Sequence, residues 1–283
     1  MRVFIISFCC VAALALGLLG IREWALMIPS QRFEHAFLNA PPLPYVAVRV
    51  ENSEQAKSAK TLRSDVIFWL DLRMTADGEF LILNPELVPQ TLTLEALGPE
   101  KWKGPNFYRY TEAELRLIFP QAVRLKDFLS EFPEQRAMFN IVDNTDDVHT
   151  KLLTLVEPLK ADQRFLFQSD TDIILKSLKE KKPLWLYGSS RSDLMKILTF
   201  ESLGLEAASP FRGDVFISTL QIMGRDAFNQ GVLKEIKRRH KDIFIGPLNS
   251  TADFEKAQEL MPEGFIFASV ELFKELEKKL SPR

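Results

Sequence analysis

The residues best suited to chemistry are four charged side chains at or near the ends of short apolar runs. Asp71 and Asp143 carry carboxylates, and Arg49 and Arg73 carry guanidinium groups. Carboxylate oxygens are ligands that Mg²⁺ and Ca²⁺ prefer, whereas a guanidinium group matches two oxygens of a phosphate. The pattern therefore predicts Asp71 and Asp143 as weak metal-ligand candidates and Arg49 and Arg73 as phosphate-binding candidates. For Asp71, the alternative is an internal ion pair with one of the two arginines.

An acidic cluster follows one of these runs. Asp143, Asp146 and Asp147 lie close together in the chain, and several carboxylates in one place could hold a divalent cation. The alternative is that Asp146 or Asp147 caps the helix predicted to follow, because aspartate accepts hydrogen bonds from the amides of a first helical turn.

Candidates for proton transfer and nucleophilic attack are few. The three histidines, His35, His149 and His240, lie away from the carboxyl ends of the predicted strands, so none is a good general acid or base. No serine lies in a pattern with His and Asp that would indicate a serine hydrolase. Cys9 and Cys10 are adjacent near the amino terminus, which leaves no cysteine for a zinc cluster in the rest of the chain.

Composition excludes several classes of protein. The 283 residues are 46% hydrophobic and 26% charged, which is too apolar for a disordered chain. Lys and Arg total 36 and Asp and Glu total 38, so the net charge is −2 and nucleic acid is not an expected partner. Neither G-x-G-x-x-G nor a P-loop motif occurs, and a dinucleotide or nucleoside triphosphate site is therefore not indicated.

Eight short apolar runs, rich in Val, Ile, Leu and Phe, are typical of buried parallel strands. They cover residues 45–50, 66–72, 137–143, 164–168, 183–188, 214–219, 242–245 and 264–268. Helical patterns separate most of them, and Thr251 is the predicted cap of the penultimate helix. Alternating strands and helices over this length predict an α/β fold, namely a (β/α)8 TIM barrel, with a doubly wound open sheet as the alternative.

One segment interrupts the alternation. Residues 75–78, Thr-Ala-Asp-Gly, are a turn signal, and the apolar run 79–83 follows without space for a helix. This run is predicted to form a hairpin arm. Residues 84–124 are then an insertion after the second strand, with a helix that starts at the capping-box spacing of Thr111 and Glu114. Insertions on this side of a barrel usually shape the substrate mouth.

The amino terminus has the pattern of a membrane segment. Residues 3–21 carry no charge, and as a helix they would cover about 28 Å. This predicts a transmembrane anchor over residues 1–21, with a cleaved signal as the alternative, then a stalk over 22–44 and the barrel over 45–283. Arg2 favours a cytoplasmic amino end, which would place the bulk of the chain on the extracytoplasmic side, periplasmic or extracellular. The basic run 237–240 is predicted to be a solvated helix end, with contact to anionic lipid headgroups as the alternative.

Five short motifs lie in order along residues 46–85. They are Val48-Arg49-Val50, Glu51-Asn52-Ser53, Trp69-Leu70-Asp71, Thr75-Ala76-Asp77-Gly78 and Asn84-Pro85. They resemble the His-Arg-Gly, Glu-Asn-Thr, Glu-X-Asp, Thr-X-Asp-Gly and His-Asp motifs of the glycerophosphodiester phosphodiesterase family. Weaker similarity continues over most of the chain to residue 280. The resemblance implies a TIM barrel of lipid metabolism. In such a phosphoric diester hydrolase, carboxylates hold Mg²⁺ or Ca²⁺, two His residues exchange protons, and an Arg clamps the phosphate.

The same resemblance implies that the catalytic groups are missing. Val48 and Asn84 stand at the two His positions, and Trp69 and Val142 stand at two Glu positions of the metal site. Alternation along a strand places Trp69 on the same face as Asp71, where its indole would fill the space of the cation. Loss of general acid–base catalysis alone costs about 10²–10⁴-fold in rate. The pattern therefore predicts a pseudoenzyme that needs no cofactor.

Three hypotheses for function stay open on this basis. The first is a membrane-anchored, catalytically degenerate barrel that binds a phosphodiester or an anionic lipid headgroup, or acts as a scaffold. The second is an active hydrolase of glycerophosphodiesters or phospholipid headgroups, with a site for Mg²⁺ or Ca²⁺ rebuilt from Asp71, Asp143 and Arg49. The third is a protein-interaction module that presents the insertion 84–124 to a protein partner.

Overall fold

The sheet is built from eight parallel strands with four short strands beside it. The computed structural model describes residues 2–39, 42–84, 106–159 and 161–280. Its strands are β1 (Tyr45–Arg49), β2 (Ile67–Met74), β3 (Phe80–Ile82), β4 (Val123–Arg124), β5 (Ala137–Ile141), β6 (Phe165–Gln168), β7 (Leu186–Tyr187), β8 (Phe216–Ser218), β9 (Gln221–Ile222), β10 (Arg225–Asp226), β11 (Ile243–Leu248) and β12 (Gly264–Phe267). Each of the eight predicted runs overlaps one of the parallel strands, although β2 and β11 extend two and three residues beyond their runs, and β3, β4, β9 and β10 are the additions.

The parallel strands follow the order β7-β6-β5-β2-β1-β12-β11-β8, which is chain order around a ring. The end strands β7 and β8 are linked by the backbone just before β8. There the amides of Asp214 and Val215 donate to the carbonyl of Tyr187 at 2.7 and 3.1 Å, and the Asp214 carboxylate accepts from the Tyr187 amide at 3.2 Å. The predicted α/β fold with eight parallel strands is confirmed, and these bonds join its ends as in a barrel.

Helices connect most successive parallel strands. They are α1 (Arg2–Met27), α2 (Ser53–Leu62), α3 (Glu112–Ile118), α4 (Leu125–Glu131), α5 (Val148–Val156), α6 (Ala161–Arg164), α7 (Asp172–Lys181), α8 (Arg191–Glu201), α9 (Gln230–Arg238), α10 (Thr251–Glu259) and α11 (Val270–Leu276). Polar side chains cap the amino ends of several of these helices. Asn52 accepts from the Gln55 amide at 2.9 Å before α2, and Ser190 with Asp193 forms a capping box at α8.

Two predicted caps differ from the observed ones. Ser250, rather than Thr251, caps α10, because its backbone is extended and its hydroxyl accepts from the Asp253 amide at 3.1 Å. Thr251 is instead the first helical residue. Asp147 occupies the cap position of α5, but its backbone is already helical and its side chain makes no capping bond.

The side chains of the parallel strands alternate between two apolar layers. Ala47, Trp69 and Met138 belong to an inner cluster that fills the lumen, whereas Val48 and Leu70 belong to an outer cluster that also contains helix residues. Successive side chains of a strand point to opposite faces, so both faces of these strands are buried. This explains why the strands read as continuous apolar runs.

The segment predicted as a stalk, residues 22–44, packs in part against the barrel. Phe37 and Leu38 belong to the inner cluster, and Phe37 is fully buried. The guanidinium group of Arg136 donates to the Phe37 carbonyl at 2.9 Å, and Arg32 pairs with Asp242 at 2.8 Å. These contacts lie at the amino ends of the strands. This part of the segment is therefore a component of the fold, because its apolar side chains complete the core at that end.

Helix α1 covers the stretch for which the sequence predicts a membrane anchor. Within the described ranges, no helix combines the length and the hydropathy that a membrane crossing requires. The prediction of a transmembrane helix is therefore not supported by the structure.

The basic run 237–240 forms hydrogen bonds with the segment that follows α1. Arg238 pairs with Glu235 at 2.7 Å, and Arg239 pairs with the same carboxylate. Arg238 also donates to the carbonyl of Ile28 at 3.3 Å, and the hydroxyl of Ser30 donates to the carbonyl of Arg239 at 2.9 Å. Two cations of the run are therefore engaged inside the protein, where the sequence predicts a solvated helix end.

The predicted hairpin arm is present, since β3 pairs antiparallel with β2. Gly78 turns the chain there with φ +81°, a conformation that glycine adopts without steric cost. Helix α3 starts with the predicted capping box of Thr111 and Glu114. This helix packs against β3 through an apolar cluster that includes Leu81 and Leu115. Residues 85–105 of the predicted insertion lie outside the described residues.

Candidate functional site

A cavity of about 500 Å³ opens at the carboxyl ends of the parallel strands. Its lining includes Arg49 on β1, Trp69 on β2, Asn140 on β5, Gln168 on β6 and Ser218 on β8. The sites of (β/α)8 barrels lie at this end, and the volume is typical of a small-molecule site. We refer to this space as the mouth cavity.

Next to the mouth cavity, Asp71 is surrounded by donors. The Nε of Arg49 lies 2.9 Å from Oδ2 of Asp71. The indole Nε1 of Trp69 and the amide Nδ2 of Asn140 donate to Oδ1 at 3.0 and 2.6 Å. Asp71 is 1% exposed and Arg49 is 5% exposed. The internal ion pair of Asp71 with Arg49 is therefore present, and two neutral donors complete the surroundings of the carboxylate.

The groups around Asp71 offset the solvation that its carboxylate loses on burial. An isolated buried charge loses several kcal/mol of solvation, which an opposite charge and good hydrogen bonds can offset. Here the guanidinium group supplies the opposite charge at Oδ2, and the indole and amide groups satisfy Oδ1. Both oxygens of Asp71 are therefore occupied by groups of the chain itself.

This donor set does not fit Mg²⁺ or Ca²⁺. Both ions take six or more oxygen ligands, whereas the groups around Asp71 are N–H donors, one of them positively charged. A cation at this place would also be repelled by Arg49. Throughout the described part of the chain, including the acidic cluster after β5, no group of three or more His, Cys, Asp and Glu side chains could hold a metal ion.

Asp143 and Arg73 form a second, separate ion pair. Arg73 Nη1 lies 2.9 Å from Oδ1 of Asp143, and the amide of Met74 donates to Oδ2 at 2.9 Å. Burial raises the pKa of the Asp143 carboxyl, and the charge of Arg73 offsets part of that rise. The guanidinium group of Arg73 also lies over the ring of Phe107, 4.6 Å from its centroid. Asp71 and Asp143 therefore each contact their own arginine, and the structure does not join them in one site.

The remaining positions that the resemblance marks as degenerate are scattered. Val48 packs in the outer cluster, on the opposite face of β1 from Arg49. Asn84 donates to Oε1 of Glu51 at 3.1 Å, and Val142 lines the mouth cavity. None of Val48, Asn84 and Val142 carries a group that titrates near neutral pH.

The histidines lie elsewhere. His35 is buried near the amino ends of the strands, where its Nδ1 accepts from the amide of Phe37 at 3.1 Å. Burial lowers the pKa of His35. His149 lies in α5 and His240 lies two residues after the end of α9, and none of the three lines the mouth cavity.

Sequence reasoning missed several residues of the mouth cavity. Arg191 lines it from the start of α8, and Ile222 and Met223 line it from the β9–β10 hairpin. Neither Asn140 nor Gln168 is among the predicted site residues, although both lie within predicted strands. Alternation along β5 and β6 could have placed their side chains in the lumen, because each is an even number of residues from an inner-cluster residue of its own strand. No local pattern in the sequence indicated the β9–β10 hairpin.

Similar solved structures are phosphodiesterases. A proposed glycerophosphoryl diester phosphodiesterase from Silicibacter pomeroyi is 14% identical, with 87% of this chain and 98% of that chain covered and a TM-score of 0.62. The glycerophosphodiester phosphodiesterase from Thermotoga maritima is 18% identical, with 82% and 97% covered and a TM-score of 0.56. One from Parabacteroides distasonis is 12% identical, with 85% and 100% covered and a TM-score of 0.57.

The protein is thus an α/β barrel whose cavity lies where barrels of this class place their sites. More particularly, its fold is that of the glycerophosphodiester phosphodiesterases, which confirms the resemblance at the level of fold. No protein-family model matches the sequence, and no curated protein does either.

Proposed function

We propose that this chain is a catalytically degenerate phosphodiesterase-type barrel that acts as a binding module through its mouth cavity. The observation that carries the proposal is the state of Asp71. Its carboxylate is bound by Arg49, Trp69 and Asn140, so it is not available to a divalent cation. Without a cation, several kcal/mol of transition-state stabilisation are lost for cleavage of a phosphate ester.

The cavity itself supports a binding role. It lies beside the Asp71 network and has a volume of about 500 Å³, although the residues that the structure describes place no group of metal-binding side chains around it. The phosphate-clamp role predicted for Arg49 and Arg73 is weakened, because both guanidinium groups are paired with carboxylates of the chain. Action on the extracytoplasmic side stays a prediction.

Hydrolysis assays on the full-length purified chain test the loss of catalysis. We expect no cleavage of glycerophosphodiesters that depends on Mg²⁺, Ca²⁺ or Mn²⁺. Turnover that is abolished by a chelator and by Asp71→Ala would overturn the proposal. It would also favour the hydrolase with a rebuilt metal site.

A gain-of-binding variant tests the physical reason. Trp69→Glu removes one donor to Asp71 and supplies a second carboxylate on the same face of β2. With Asn140→Asp added, a third carboxylate would stand beside the first two. Calorimetric titration should show Ca²⁺ binding to the double variant and none to the parent chain. Asn140→Asp alone is the matched control. Trp185→Glu would not serve, because Trp185 lies in the outer cluster. Equal Ca²⁺ binding by the parent chain would contradict the proposal.

A further inference from the structure

The buried lining of the mouth cavity carries no uncompensated charge. Among the described residues of the lining, Arg49 is the one buried cation, and it pairs with Asp71 at 2.9 Å. Arg191 and Asp170 also line the cavity, but both are exposed and their charges are opposite. A multiply charged anion would therefore give up its hydration without meeting an excess of positive charge.

Gln168 offers an unused acceptor in the lumen. It is 5% exposed, and its Nε2 donates to the carbonyl of Ser189 at 2.7 Å. Its Oε1 is buried and has no hydrogen-bond partner among the described residues. This oxygen lies 2.0 Å from the place that a Cβ of Gly188 would take, on the lumen side of β7. Because buried carbonyl oxygens are rarely left unpaired, a ligand hydroxyl group that met this oxygen after a rotation of the Gln168 amide would satisfy it.

Part of the cavity lining is apolar. Leu194 and Ile217 are buried, and the β9–β10 hairpin adds Ile222 and Met223. Met223 has φ 50° and is 70% exposed, with Gly224 next to it at φ +76°. Positive φ at both residues is what a two-residue hairpin turn requires, and this turn places Met223 at the cavity. The flexible thioether of methionine adapts well to an apolar ligand.

From these three features we propose that the mouth cavity binds an uncharged amphiphile. Its hydroxyl-bearing head lies against Gln168 and Ser218, and its hydrocarbon chain lies along Leu194, Ile217 and the β9–β10 hairpin. This inference rests on the proposed function, since it names the ligand class of the same cavity. It departs from the phosphodiester or anionic headgroup that the sequence led us to expect.

Alkyl glucosides and alkyl phosphates of equal chain length separate the two ligand classes. Calorimetric titration of the full chain, below the critical micelle concentrations, should show that n-octyl glucoside binds more tightly than n-octyl phosphate. Inorganic phosphate and glucose should not bind measurably. Each added methylene should tighten glucoside binding by up to about fourfold, as expected for burial of a hydrocarbon chain.

Variants test which residues carry the binding. Met223→Glu should weaken glucoside binding at least tenfold, because a carboxylate would replace part of the apolar wall. Met261→Glu is the matched control, since Met261 is also exposed and also has φ 50°, and it should leave the affinity within twofold of the parent.

The outcomes also separate this inference from the proposed function. Tighter binding of octyl phosphate, lost in Arg191→Gln, would overturn the uncharged ligand but keep the binding module. Absence of binding by every amphiphile would overturn the inference while the hydrolysis assay still decides on catalysis. Metal-dependent hydrolysis by the parent chain would overturn the proposed function itself.

Discussion

At the residue scale, Arg49 supplies from within the chain the positive charge beside Asp71. Strand geometry decides which side chains contact Asp71. Arg49 and Trp69 are cross-strand neighbours on β1 and β2, and Asp71 is similarly opposite Asn140 on β5. The register of the sheet therefore brings Arg49 and Asn140 within reach of the Asp71 carboxylate. The charge of Asp71 is therefore neutralised permanently by the chain itself.

Removal of the Arg49 charge should destabilise the protein strongly. In Arg49→Gln, Asp71 keeps a buried charge without its counter-ion, and such losses cost about 3–5 kcal/mol. Urea unfolding of the parent and the variant measures the difference. Adding Asp71→Asn should recover a large part of the loss.

Arg32→Gln is the comparison for an exposed pair. The side chain of Arg32 is 49% exposed where it meets Asp242, so its loss should cost at most about 1 kcal/mol. An equal, small cost for Arg49→Gln would show that the pair with Asp71 contributes little.

His35 should make stability depend on pH. Burial lowers the pKa of His35 below its ordinary value of 6.5, so the unfolded chain takes up the proton more readily than the folded chain. The resulting contribution is complete above about pH 6.5 and is lost as the pH falls below it. Protonation of Nδ1 would also remove the acceptor for the Phe37 amide.

The measurement is urea unfolding at pH 7.5 and pH 5.5 for the parent and for His35→Asn. Asparagine can still accept from the Phe37 amide but does not titrate, so the parent should lose more stability on acidification than the variant. Identical losses in both proteins would exclude His35 as the origin.

At the element scale, the weakest junction of the ring lies between β7 and β8. β7 has two residues, and no strand ladder joins it to β8. Two backbone donors and the carboxylate of Asp214 hold the junction. It can close because Gly188 and Gly213 let the two backbones approach: a Cβ on Gly213 would lie 2.8 Å from the Gly188 carbonyl oxygen.

Gly213→Ala should therefore open this junction. The added methyl group meets backbone atoms that cannot rotate away, and overpacking of this kind costs about 1–3 kcal/mol. Amide hydrogen exchange should accelerate at Asp214 and Val215, and unfolding should shift to lower urea. Gly17→Ala is the control, since nothing lies within 4 Å of a Cβ there. Unchanged exchange in Gly213→Ala would contradict the assignment.

At the scale of the whole molecule, the barrel and the segment before it share one core. Phe37 and Leu38 lie in the inner cluster with residues from all eight parallel strands, and Arg136 connects the same segment to the start of β5. The mouth cavity and this apolar closure lie at opposite ends of the lumen. One end is therefore sealed by the chain, and the other is left open to a ligand.

Phe37→Ala should lower the stability of the entire protein rather than release one segment. Truncation of a buried Phe costs about 3–5 kcal/mol. Urea unfolding should remain a single transition with an unchanged slope, displaced to lower urea. Phe33→Ala, at a half-buried position, should cost less. A separate early transition with an unaltered main transition would show that the segment folds independently.

The eight parallel strands, the hairpin after β2 and the capping box of α3 could all be predicted from the sequence. These are local properties, because a strand that is buried on both faces must be apolar along its length and a cap needs only its own turn. The sequence also showed that imidazole and most carboxylate groups are absent from the positions that the family resemblance marks. The tertiary structure alone decided which arginine meets Asp71, how residues 30–38 seal the lumen, and where the β9–β10 hairpin covers the cavity. Those outcomes depend on strand register and on contacts between residues far apart in the chain, which no local pattern encodes.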